Sequence, residues 1–168
     1  MHVTAKLAEA VVNASSITIA PEKGTVPKPL GLSNMATAGG ACGIQRALVS
    51  DARVSPVKES IGTNNIGLLV TIWGKVTKVY DPDGSFSGYF YIDDGFGLYD
   101  GSGDDVTGIR CALPADESGY VMFPLPLEGT YVAVTGVMGA EMVIDPVTND
   151  PISNIRYLRT TSVQTIAE

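Results

Sequence analysis

Residues 66–79 read IGLLVTIWGKVTKV, and the alternation inside this run decides the fold. Val70, Ile72 and Val76 share one parity, with Gly74 between them; Leu69, Thr71, Trp73, Lys75 and Thr77 share the other. Side chains on an extended chain alternate between two faces, so a run of this length predicts a long strand with one buried face. Gly74 inside it predicts a bulge or a tight bend. Asp81-Pro82-Asp83-Gly84 is a turn signal, and Tyr89-Phe90-Tyr91-Ile92 then predicts a second strand, ended by Asp93-Asp94-Gly95. The two strands are expected to pair as a hairpin. On the second, Tyr89 and Tyr91 should face away from Phe90 and Ile92, on the same outer side as Trp73.

Outward from this pair the pattern continues in short strands. Gly95 to Gly108 reads as a loop rich in Gly and Asp, and Ile109 to Leu113 as a third strand stopped by Pro114. Residues 114–129 carry no clear periodicity. Residues 130–137 predict a fourth strand, Asp145-Pro146 and Asn149-Asp150-Pro151 mark further turns, and Ile155 to Ile166 predicts a closing strand. Five strands, the first long and interrupted by glycine, predict a small all-β barrel over residues 61–168. Residues 1–60 read as an extended N-terminal arm, a Pro-containing linker at 21–30 and a covering segment, with Ala47-Leu48-Val49 as a candidate added strand.

Composition narrows the function. The chain has 168 residues, a net charge of −7, 45% hydrophobic residues and one histidine. That apolar fraction is too high for a disordered acidic tail, and no stretch approaches the roughly 18 apolar residues of a membrane helix. The acidic balance argues against a nucleic-acid partner, whose phosphates must be neutralised. Catalysis has little to work with. His2 lies in the arm, no phosphate-binding Gly-rich loop follows a strand, and no catalytic residue is assigned, so no enzyme is expected.

The order and spacing of the strands resemble an OB-fold. The resemblance rests on residues 69–77, on Tyr89-Phe90-Tyr91-Ile92-Asp93-Asp94-Gly95, on Gly108-Ile109-Arg110-Cys111, and on residues 128–136. The chain also resembles OB-like repeats of large secreted bacterial surface proteins. There a Pro-Leu-Gly linker and a Gly-rich stretch precede Asn-Asn-Ile-Gly-Leu-Leu-Val; here these are Lys28-Pro29-Leu30-Gly31-Leu32, Gly39-Gly40 and residues 64–70. The resemblance implies a five-stranded barrel and an extracellular or cell-surface location. It does not imply one function, because OB barrels serve many.

Two segments echo each other. Residues 11–20, VVNASSITIA, align with residues 157–167, YLRTTSVQTIA, after one inserted residue. Either ten residues coincide by chance or the first segment is a closing strand without its own barrel, which must pair elsewhere. Pairing with a neighbouring copy is strand addition, and repeated head to tail it gives a filament. The expected role is therefore a structural subunit of an extracellular filament or surface assembly. Val11, Val12, Ile17, Ile19, Trp73, Tyr89 and Tyr91 would form its subunit interface. The alternative is an OB-type binding module for single-stranded nucleic acid or oligosaccharide, carried by Trp73, Tyr89 and Tyr91.

Three further readings stay open. From Asp81 to Glu117 nine carboxylates face one basic residue, Arg110. These read as solvated turns or, since Ca²⁺ takes oxygen ligands from loops, as a site with Asp93, Asp94, Asp104 and Asp105 as ligands. No other cofactor is expected. Cys42 and Cys111 are either buried thiols or a disulfide, and Asn13-Ala14-Ser15 is a glycosylation sequon at Asn13.

Overall fold

The computed structural model describes residues 15–16, 18, 24–25, 27–39, 60–80, 88–99, 106–114, 124–144, 147–148 and 151–167. Val11, Val12, Asn13, Ile17, Ile19, Cys42, Asp104 and Asp105 lie outside the described residues, as do the candidate strand 47–49 and the turn at 81–84. The protein is all-β: one six-stranded sheet and, among the described residues, a single short helix.

In chain order the elements are β1 (Leu30–Gly31), α1 (Asn34–Ala38), β2 (Leu69–Tyr80), β3 (Tyr89–Asp93), β4 (Ile109–Ala112), β5 (Tyr131–Ile144) and β6 (Pro151–Ala167). β2 pairs antiparallel with β3 through its second half and with β5 through its first. β3 pairs antiparallel with β4, β4 runs parallel to β6, and β6 pairs antiparallel with β5. β1 adds to β2 in parallel, with Leu30 opposite Val70 and Gly31 opposite Thr71.

The expected alternation places the core. Val70, Ile72 and Val76 of β2, Phe90 and Ile92 of β3, and Ile109 and Cys111 of β4 are all buried. Val132, Val134 and Met138 of β5 and Leu158 of β6 meet them in one cluster. Each such aliphatic side chain contributes about 1.5–3 kcal/mol of burial. Cys111 sits inside that cluster as a free thiol, and burial pushes its pKa well up from the ordinary cysteine value.

Three expectations need correction. Gly74 is not the bulge. The register shift lies at Val76/Lys78, where Thr77 turns its hydroxyl to donate to the Thr107 carbonyl at 2.6 Å. Gly74 instead admits the end of β3: a Cβ there would stand 2.5 Å from the Asp93 carbonyl oxygen. The fourth and closing strands are longer than 130–137 and 155–166, since the β5–β6 ladder continues to Ile144 opposite Pro151. The turn signals at Asp145-Pro146 and Asn149-Asp150-Pro151 mask that continuation in the sequence.

The covering segment is not extended throughout. Ser33 caps α1, its Oγ accepting from the Ala36 amide at 3.3 Å, and the helix is too short to display an apolar stripe. Asn34 fastens it to the sheet, donating from its backbone to Asp94 Oδ2 and from Nδ2 to the Ile92 carbonyl, both at 2.8 Å. Asn65 Nδ2 donates to the Ala36 carbonyl, and buried Arg156 of β6 reaches Asn65 Oδ1 at 3.4 Å. Residues 33–39 and 60–65 are thereby tied to β3 and β6 by polar contacts rather than by apolar burial.

Candidate binding face

The cross-strand register sets two rows of outward positions side by side. One row runs Lys78, Tyr91, Arg110, Tyr157, Gly139 across β2, β3, β4, β6 and β5. The next runs Tyr80, Tyr89, Ala112, Arg159, Val137 across the same five strands. Directly opposed side chains on a sheet stand about 5 Å apart, so large groups in these rows must touch.

The rings do touch. Tyr80 stacks on Tyr89 with centroids 4.6 Å apart, and Tyr91 meets both edge-on, at 6.2 and 6.1 Å. Arg110 reaches diagonally past Ala112, so its guanidinium carbon lies 5.6 Å from the Tyr89 centroid and 5.2 Å from that of Tyr157. Arg159 approaches Tyr157 at 5.4 Å, and its Nε donates to the Tyr157 hydroxyl at 3.0 Å. Small neighbours make this possible: a Cβ on Gly139 would meet Tyr157 Cζ at 3.1 Å. Glu141 Oε2 accepts from Arg110 Nη2 at 2.5 Å. At the margin Lys78 pairs with Glu128 at 3.7 Å.

Chemically, the face combines tyrosine rings with planar cationic groups and one carboxylate. Cation–π contacts of this type contribute about 0.5–1 kcal/mol each where exposed and more where desolvated. Arg110 is held between two rings with its side chain only 15% exposed, which fixes the direction of its donors.

The three aromatics named in the sequence divide between two places on the sheet. Tyr89 lies on the face. Tyr91 lies beneath it at 1% exposure, with the Tyr80 and Tyr89 rings edge-on to it. Trp73 is 48% exposed, but it stands opposite Ala133 on the first half of β2 with its ring against Gly31 of β1. Tyr80, Arg110, Glu141, Tyr157 and Arg159 were missing from the expectation. Their spacing carries a partial signal, since Tyr157 and Arg159 are alternate residues on a strand, as are Tyr89 and Tyr91.

The acidic residues have local work. Asp93 Oδ1 accepts from the Gly97 amide at 2.9 Å; Asp94 accepts from Phe96 at 3.2 Å through Oδ1 and holds α1 through Oδ2. Among the described residues no three His, Cys, Asp or Glu side chains gather as metal ligands would. A groove of about 290 Å³ runs between Pro124–Leu127 and Thr130, Val163 and Thr165; it has no charged lining and shares no residue with the two rows. No helix among the described residues is long and apolar enough to cross a membrane.

No protein-family model matches the chain, and no curated protein matches its sequence.

Proposed function

We propose that the chain is an OB-like barrel that serves as an oligosaccharide-binding module on an extracellular or cell-surface protein. The cyclic order of pairing, β2–β3–β4–β6–β5 and back to β2, supports the barrel. Binding on the second and third strands of that barrel is the usual arrangement of OB-folds, and β3 and β4 hold those places here. The observation that carries the reading is the pair of adjacent rows that set the Tyr80, Tyr89 and Tyr157 rings beside Arg110, Arg159 and Glu141. A sugar ring has an apolar face of C–H groups and a rim of hydroxyls. It therefore needs an aromatic ring to lie on and planar donors and acceptors at the edge. Single-stranded nucleic acid fits less well, since the net charge of −7 opposes a polyanion.

An oligosaccharide array probed with the native protein and with a Tyr89→Ala/Tyr157→Ala variant tests this. Selective retention by the native protein alone supports it. Equal signals from the two proteins, with the variant folded by circular dichroism, would count against it.

A second reading has its own support in β1. Leu30 and Gly31 add to β2 as a short parallel strand, continued by the Leu32 amide donating to the Thr71 carbonyl at 3.0 Å. The chain ahead of the barrel thus already uses strand addition within one molecule. Extended to Val11–Ile19 and a neighbouring copy, the same contact makes a filament subunit joined head to tail. Deleting residues 1–20 should then leave a folded barrel and abolish filaments in negative-stain images; filaments that persist would end this reading.

A further inference from the structure

We propose that the face selects an acidic sugar, a uronic acid whose carboxylate takes the place of Glu141 beside Arg110. This rests on the oligosaccharide reading and names the ligand class within it.

The argument starts from charge. Two guanidinium groups share the Tyr157 ring, Arg110 at 5.2 Å and Arg159 at 5.4 Å, on a protein whose net charge is −7. Together they make the surroundings of the ring locally positive, which favours an anion beside Arg110. Glu141 supplies one carboxylate, through one oxygen to Arg110 Nη2. The two partners are unequal. Arg110 is 15% exposed and clamped by tyrosine rings, whereas Glu141 is 59% exposed. The arginine is therefore the fixed part of the site, and the carboxylate is the part that can be exchanged. A pair whose carboxylate partner is open to solvent is only weakly held, so a ligand can displace it.

Arg110 also has unused capacity. A guanidinium carries five N–H donors, and Nε of Arg110 is buried without a hydrogen-bond partner. One glutamate oxygen does not satisfy the group. A uronic acid brings its carboxylate on the same ring that stacks, so ring and charge arrive with a fixed geometry. A neutral hexose carries a hydroxymethyl group at that place and cannot displace Glu141. A phosphodiester chain would bring repeated charges past Glu128 and Glu141 as well as one welcome at Arg110, which disfavours it.

The test pairs each uronic-acid oligosaccharide of a panel with the neutral hexose chain of the same linkage and length, using isothermal titration of the full chain. For at least one pair the acidic member should bind about tenfold more tightly, because its carboxylate engages Arg110 and the hydroxymethyl group of the neutral member cannot. Glu141→Gln, a change at an exposed position, should raise the affinity of that acidic member about two- to fivefold. Acidic and neutral members binding alike overturns this inference while leaving the oligosaccharide reading intact. An unchanged or weakened acidic affinity in Glu141→Gln overturns it too. Failure of every member to bind removes the oligosaccharide reading and this inference together.

Discussion

Gly139 and Tyr157 lie opposite each other on β5 and β6, and the tyrosine ring fills the space where a side chain on the glycine would be, 3.1 Å from Cζ. That contact decides where Tyr157 can stand between Arg110 and Arg159. Gly139→Val, with a residue at home in strands, should push the ring off the face and cost about 1–3 kcal/mol through overpacking. Urea unfolding gives the cost, and oligosaccharide affinity should fall with it. An unchanged affinity would separate Tyr157 from binding.

The two faces of β2 should respond differently to truncation. Ile72 is wholly buried, and Ile72→Ala should destabilise the fold by about 2–5 kcal/mol. Trp73, one residue on and half-exposed, stands apart from both tyrosine rows. Trp73→Ala should leave oligosaccharide binding unchanged while affecting stability less than Ile72→Ala. Titration of both variants checks the separation, and lost binding in Trp73→Ala would place the site elsewhere.

Cys111 offers a pH prediction. Burial raises its folded pKa, so the thiol keeps its proton in the native state where the unfolded chain has lost it. The unfolded state then binds fewer protons, and stability falls as pH rises above the unfolded value of about 8.5. The slope from this group approaches about 1.4 kcal/mol per pH unit above that value. Comparison of the native protein with Cys111→Ala isolates it: the native curve should fall more steeply between pH 8.5 and 10. Parallel curves would show that the thiol is not so buried. A thiol-specific reagent should label Cys111 only on unfolding.

Asn34 should hold α1 in place. Its side chain donates to the Ile92 carbonyl and its backbone to Asp94, so Asn34→Ala leaves a buried carbonyl with one bond fewer. A cost of about 1–3 kcal/mol is expected. Faster hydrogen exchange at the amides of Thr37 and Gly39 should accompany it, with the β5–β6 amides unaffected.

Much of the sheet was legible because its signal is local. Alternation in β2 named Val70, Ile72 and Val76, and the aromatic run 89–92 gave β3 its parity, since neither depends on distant partners. The long β5–β6 hairpin is cut short in the sequence because Asp145-Pro146 and Asn149-Asp150-Pro151 read as turns, whereas the ladder continues to Ile144 opposite Pro151. The face was less visible. It exists through the parallel pairing of β4 with β6, which brings Arg110 beside Tyr157 from 47 positions away. Nothing in the spacing of either residue announces that register. Trp73 shows a matching gap: shared parity with outward residues gives a face of a strand but not a position along it.

The most direct measurement is an amide NMR titration of isotope-labelled protein with the paired oligosaccharide panel. Binding on the rows predicts shift changes centred on Tyr89, Arg110, Tyr157 and Arg159, with Leu30 and Trp73 unmoved. No response to any oligosaccharide, or a response centred on β1 and Trp73, would contradict the account.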